Sequence, residues 1–587
     1  MACEQEMIYS DEYYDLIIDY NLIENYIFPE CIQSVDARFK VGYYPRAELP
    51  PLSVVDYSYS AIPKCFCLTD YSALEVTNIL FLQNQPVLDL NGEGVMIGFV
   101  DTGIEYRNPV FRNEDGSTRI AAIWDQTIPG ADAMEGRREV AENENNVNGG
   151  NDRIGRNPQG FLYGTEYSEE EINQALASEV PLSVVPSTDT NGHGTFLAGI
   201  SCGGRNPAKQ FVGAAPLATL AVVKCKEAKQ NLKDYYFIPP NAVCFQENDI
   251  MAGVAWLQGQ ADQRNMPLVV CITMGSGLGS HMGDCPLSLY LNNFGLRRGR
   301  VITVSAGNEA NARHHFYSAG LETGQQENVE ISVGSNVNGF VLELWASVPN
   351  LYQVAVLSPT GELFQPVGGP GTGKKEYRFL FENTTVSIEY DIVEGANANQ
   401  LAFLRFATPL QGIWTIRVTG RQTIQGGYHM WLPQSELMSG EVFFLRSTPD
   451  VTATSPAYTP SAVSTGAFLA RGNSLYPESG RGFSANGEIK PDLTAPGVNV
   501  YGPDRLGNFA TMTGTSVAAA ITAGACAQLL EWGLVKGQYA SLNSVEMRSI
   551  LTRGARRTPD RSYPNPEWGY GTLDVFEALN QLRTQQE

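Results

Sequence analysis

Four apolar runs of strand length constrain this chain more than any other feature: Val95–Val100 (VMIGFV), Leu220–Val223, Pro267–Ile272 and Arg300–Ser305. Uninterrupted runs of this kind suit parallel strands, which are covered on both faces and have no solvent side to mark with polar residues. Helical patterns alternate with them. Ser168 and Glu171 read as a capping box opening a helix through about Ala177, and Asp249–Gln258 is amphipathic. Further helical stretches are expected at Thr511–Leu530 and Asn543–Leu551. Strands alternating with helices predict an α/β fold around a parallel sheet.

The pattern changes between Gln326 and Asp450. Short segments rich in Val, Ile, Phe, Tyr and Thr follow one another there without helices, among them Phe340–Val348, Tyr352–Leu357, Tyr377–Phe381, Thr384–Val393, Leu401–Ala407 and Gly412–Thr419. Such spacing reads as an all-β sandwich or jelly roll inserted into the α/β domain. The opening block, rich in Tyr, Ile, Asp and Glu, is long enough for a small α+β unit. The expected division is therefore 1–68, an α/β part at 69–325, a β insertion at 326–450 and a second α/β part at 451–587.

Composition narrows the classes. A chain of 587 residues that is 43% hydrophobic, with 27 Tyr and 25 Phe, is too apolar and aromatic for disorder. A net charge of −23 opposes a nucleic-acid partner, because that affinity rests on clustered Lys and Arg. The ten cysteines include no CxxC, and several sit in apolar runs, so they read as buried thiols rather than disulfides. The start, MACEQEMIYSDEYYDLIIDYNL, has no basic and then apolar segment, so no secretory signal is expected. No membrane span is expected either, and cysteine usage points to a reducing compartment.

Three short sequences carry chemistry. Asp101-Thr102-Gly103 places a carboxylate at the carboxyl end of a buried strand, the edge where open α/β sheets hold their sites. Asp189-Thr190-Asn191-Gly192-His193-Gly194-Thr195 runs into a helical pattern, and Thr513-Gly514-Thr515-Ser516 leads into an Ala-rich one. Singly, each has an ordinary structural explanation: a turn-capping Asp, a structural His, an N-cap Ser. Jointly they supply what a serine nucleophile requires, a general base and a group to orient that base. The motifs DTG, NGHGT and GTSVAAA resemble the three signatures of the subtilisin-like serine proteases, a family whose Asp, His, Ser order is itself a standard example of the triad. Ser305-Ala306-Gly307-Asn308 and Lys490–Gly497 (KPDLTAPG) extend the likeness.

The resemblance implies a three-layer fold and a set of roles. His193 would take the proton of Ser516, Asp101 would hold the imidazole, and the Asn308 amide with the Ser516 N–H would receive the oxyanion. A segment around Gly275, Ser276 and Gly277 would pair with an extended peptide, and Ser305, Ala306 and Gly307 would form the other wall of the pocket. Gly275-Ser276-Gly277 departs from the family's usual Ser-Leu-Gly. His314 and His315 read as structural, and no acidic cluster has calcium spacing, so neither metal nor cofactor is expected.

By the same resemblance, residues 1–68 are a prodomain that templates folding and leaves its carboxyl end in the cleft. Self-cleavage is expected between Ile62 and Tyr71, around Phe66, Cys67, Leu68 and Thr69. The stretches FRNEDGSTRIAAIWDQT and GTEYSEEEINQAL, with the β insertion, are similar to the clostridial germination proteases called Csp. That similarity implies a jelly roll, a prodomain retained after cleavage, a spore location and a protein substrate, the zymogen of a cortex-degrading hydrolase. A pseudoprotease that signals with its cleft blocked, and a general intracellular or gut subtilase, stand as alternatives. The complete Asp, His, Ser set favours an enzyme.

Overall fold

The computed structural model describes residues 5–20, 29, 31–66, 77–130, 155–366, 373–393, 398–424 and 426–583. Its centre is a nine-stranded sheet in which all four apolar runs are strands. Met96–Asp101 lies in the middle, parallel to Leu268–Ile272 on one side and to Thr219–Lys224 on the other. The first half of the chain builds outward on one side of Met96–Asp101, and the later strands Arg300–Ser305 and Val463–Leu469 extend the other. The carboxyl end of Met96–Asp101 is thus the switch point of the sheet, where crevices for ligands open.

Alternation along that strand divides the core in two. Ile97 and Phe99 pack with Phe196, Leu197, Val517 and Ile521 on one face, while Met96 and Val100 pack with Ile250, Val254 and Leu257 on the other. Helices on both faces give the three layers that the sequence resemblance implied. Gly98 allows a close approach: a Cβ there would lie 2.7 Å from Leu257 Cδ1. Every residue of the helix Thr515–Leu530 is buried. Its extension Thr515–Val535 is, among the described residues, long and apolar enough to cross a membrane by length and composition. Of its most apolar 18-residue window, 89% is buried within the fold, and the segment serves as the core helix.

The insertion is two antiparallel sheets, of six and five strands, enclosing a core of its own that includes Phe316, Tyr352, Phe406 and Trp414. It starts earlier than residue 326. His315–Ser318 pairs with Tyr428–Trp431 as the edge of the six-stranded sheet, and four residues are too few to show alternation in sequence.

Residues near the amino end form a three-stranded antiparallel sheet, Tyr13–Asp19, Phe39–Pro45 and Cys31–Ser34. Polar groups fasten this unit to both neighbours. The Asp15 carboxylate is paired with Lys229 and accepts from Gln246 Nε2 at 3.2 Å. Val54 N–H donates to Glu389 Oε2 at 2.8 Å, and the Tyr59 hydroxyl donates to Glu343 Oε1 at 2.6 Å, both carboxylates belonging to the sandwich. Among the described residues, Cys65, Cys202, Cys225, Cys244, Cys271, Cys285 and Cys526 are not disulfide-bonded. Cys31 corrects the sequence expectation, being disulfide-bonded.

Candidate active site

Asp101 is the last residue of the central strand and is almost wholly buried. Burial pushes its carboxyl pKa up, but the adjacent His193 and hydrogen bonds from His193, Thr273 and Thr102 outweigh burial and hold the pKa below the ordinary value. The Thr102 N–H donates at 2.7 Å and the Thr273 hydroxyl at 2.5 Å. His193 opens the helix His193–Cys202 directly opposite. Its Nδ1 lies 2.8 and 3.0 Å from the two Asp101 oxygens, and its Nε2 lies 3.4 Å from Ser516 Oγ. Ser516 stands in the first turn of Thr515–Leu530, so the helix dipole favours negative charge beside it.

Neighbouring polar groups fix this geometry. Asp189, within the second motif, accepts from Gly192 N–H at 2.7 Å and from the Thr195 hydroxyl at 2.7 Å, which shapes the turn that delivers His193. Asn308 follows the Arg300–Ser305 strand, and its Oδ1 accepts from the Thr515 hydroxyl at 3.1 Å and from Thr515 N–H at 3.2 Å. With the oxygen committed to Thr515, the Nδ2 end is the one oriented to donate to a ligand. A serine hydroxyl, a base in reach, an acid that keeps the base oriented and an amide donor beside the nucleophile are the parts required for acyl transfer.

The expected pocket residues come together as well. Ser305, Ala306 and Gly307 leave their strand next to Thr454, whose N–H donates to Ala306 O at 2.9 Å. Thr454 escaped the sequence reading. A Cβ added to Gly275 would lie 2.2 Å from its Oγ1, and one added to Gly307 would lie 2.5 Å from it, so this side chain is wedged between the two glycines. Ser276 forms an antiparallel bridge with Ser455. Of the expected cleavage stretch, Phe66 pairs through its backbone with Phe245, while Cys67, Leu68 and Thr69 lie outside the described residues. His314 binds Glu309 at 2.7 Å, and the His315 ring stacks on Trp431.

An acid, a histidine and a serine assembled at the carboxyl edge of a parallel sheet define a serine hydrolase. The model of the Subtilase family matches residues 92–571, and the chain belongs to that family as a subtilisin-like serine endopeptidase. Among solved structures, the Clostridium perfringens CspB protease is similar with a TM-score of 0.73 and 29% identity, over 86% of this chain and 96% of that one. The S41 psychrophilic protease gives a TM-score of 0.41 at 15% identity, over 86% of this chain and 99% of that one. None of the curated proteins compared with the chain matches it.

Proposed function

We propose that Ser516 is the nucleophile of an endopeptidase that cuts its own amino-terminal unit, keeps that unit bound, and then activates the zymogen of a spore-cortex hydrolase. His193 removes the Ser516 proton as Oγ attacks the scissile carbonyl, and returns it to the leaving amine. Asp101 holds the ring and stabilises the imidazolium. Asn308 and the Ser516 N–H receive the oxyanion, and water then hydrolyses the acyl-enzyme by the same steps. The observation that carries this reading is His193 lying between Asp101 at 2.8 Å and Ser516 at 3.4 Å.

Retention of the amino-terminal unit is supported by its anchors. Asp15, Val54 and Tyr59 bind buried partners in the catalytic domain or the sandwich, and breaking the peptide bond near residue 67 leaves each of these contacts in place. The germination role is supported by the likeness to the CspB protease and by the Csp-type sequence stretches.

Amino-terminal sequencing of the purified wild type and of Ser516→Ala tests self-cleavage. A new terminus between residues 63 and 71 in the wild type, absent from the variant, is the expected result; the same fragment from both would overturn it. Incubation with a cortex-hydrolase zymogen and, separately, with casein tests the substrate. Cleavage of casein alone favours a general subtilase.

A further inference from the structure

Thr273 follows the Leu268–Ile272 strand and places its hydroxyl on Asp101, so the segment after it departs from the catalytic acid itself. An extended segment in that position accepts a peptide as an added strand only through unpaired backbone groups. Successive residues of an extended chain turn their N–H and C=O groups to opposite edges. Ser276 exchanges both of its groups with Ser455, at 3.0 and 2.9 Å. Gly277 therefore faces the other edge, the one a substrate would use.

That edge is taken. Gly277 N–H donates to Gln434 Oε1 at 3.2 Å, and Gly277 C=O lies 3.2 Å from His281 Nε2. Two residues on, Gly279 N–H donates to Glu343 Oε2 at 2.8 Å. Gln434 and Glu343 both come from the inserted sandwich, and Gln434 is only 1% exposed. Trp431, at the end of the strand leading to Gln434, packs on the His281 ring at 4.0 Å. The insertion is thus joined to the acyl-side wall of the cleft by side chains that imitate a substrate strand.

We propose that Gln434 and His281 are specificity-determining residues that end the substrate-binding edge at Gly277. A longer peptide strand has to displace both, leaving two buried polar groups without partners, which is costly. The enzyme consequently reads a short segment before the scissile bond, and residues beyond it add little. This inference rests on Ser516 being the nucleophile.

Peptidyl diphenyl phosphonates sharing one P1 group, with one to four residues before the phosphorus, provide the test. Ser516 Oγ forms a bond to phosphorus, phenoxide leaves, and the serine proton departs with it as phenol. Labelling rates are measured on the full chain beside a simple fluorophosphonate. The expected result is less than a fivefold gain from two residues to four in the wild type, and a fivefold or larger gain in Gln434→Ala. A wild-type gain of fivefold or more overturns the proposal even if the variant does not fold. So does an equal change at every length in the variant, because a merely structural role would act on all lengths alike. Fluorophosphonate labelling with no reaction by any peptide overturns it as well. No labelling by either reagent overturns the nucleophile assignment and this inference together.

Discussion

The Thr273 hydroxyl donates to Asp101 Oδ2 at 2.5 Å, across 172 residues of sequence. It is one of the donors that, with the adjacent His193, hold the Asp101 pKa below the ordinary value against burial. Replacing Thr273 by Val retains the shape and removes the hydrogen bond. The expected outcome is a roughly tenfold lower kcat with a stability loss of about 1 kcal/mol. Steady-state kinetics with a urea unfolding curve checks both, and an unchanged kcat would contradict the role.

Gly275 has no room for a side chain, because a Cβ there would meet Thr454 Oγ1 at 2.2 Å and Thr454 Cβ at 2.8 Å. Gly275→Ala should therefore lower kcat/KM by at least about tenfold through displacement of the pocket wall, a cost on the order of 1–3 kcal/mol for overpacking. Adding Thr454→Gly should restore much of the loss and admit larger P1 groups. A double-mutant cycle on peptide phosphonate labelling measures the coupling. Additive effects would show that the two residues do not share the pocket.

Glu343 joins three parts of the molecule. It accepts from Tyr59 of the amino-terminal unit, from Gly279 of the catalytic domain and from Trp345 of the sandwich. Burial pushes its carboxyl pKa up, with these donors opposing. Tyr59→Phe removes one donor from a buried carboxyl, at a cost of about 1–3 kcal/mol. Weaker retention of the cleaved amino-terminal fragment on size-exclusion chromatography in mild urea is the expected result, with catalysis on a peptide reagent unchanged.

Acid should loosen the joint between sandwich and catalytic domain. Burial lowers the His429 pKa from 6.5 to about 4, and His281 and His315 are lowered too, by burial and then by neighbouring histidines. Between those values the unfolded chain binds protons that the folded one refuses. Stability is therefore full above about pH 6.5 and falls as pH drops toward 4, by roughly 3 kcal/mol for His429 alone. Urea midpoints across this range should decline steeply in the wild type and less steeply in His429→Gln. Equal slopes would show that His429 is not the group responsible.

What the sequence displayed was what lies in contiguous residues. Asp101, His193, Asn308 and Ser516 each sit in a short motif, and the Ser168–Glu171 capping box forms as its spacing predicts, because all its partners are local. Contacts made across long separations left no such trace. Gln434 reaches Gly277 over 157 residues, and nothing around it marks it as a partner of the cleft. The core helix begins at Thr515 rather than Thr511, since Phe509–Met512 is claimed by pairing with Val500–Pro503. Thr454 shows its meaning only when the two glycines beside it are folded into place.

The assignment of Ser516 is tested most directly by mapping the adduct of a fluorophosphonate on the full chain by peptide mass spectrometry. One adduct on Ser516, lost in His193→Ala, is the predicted result. An unlabelled Ser516, or a label indifferent to His193, would contradict the account.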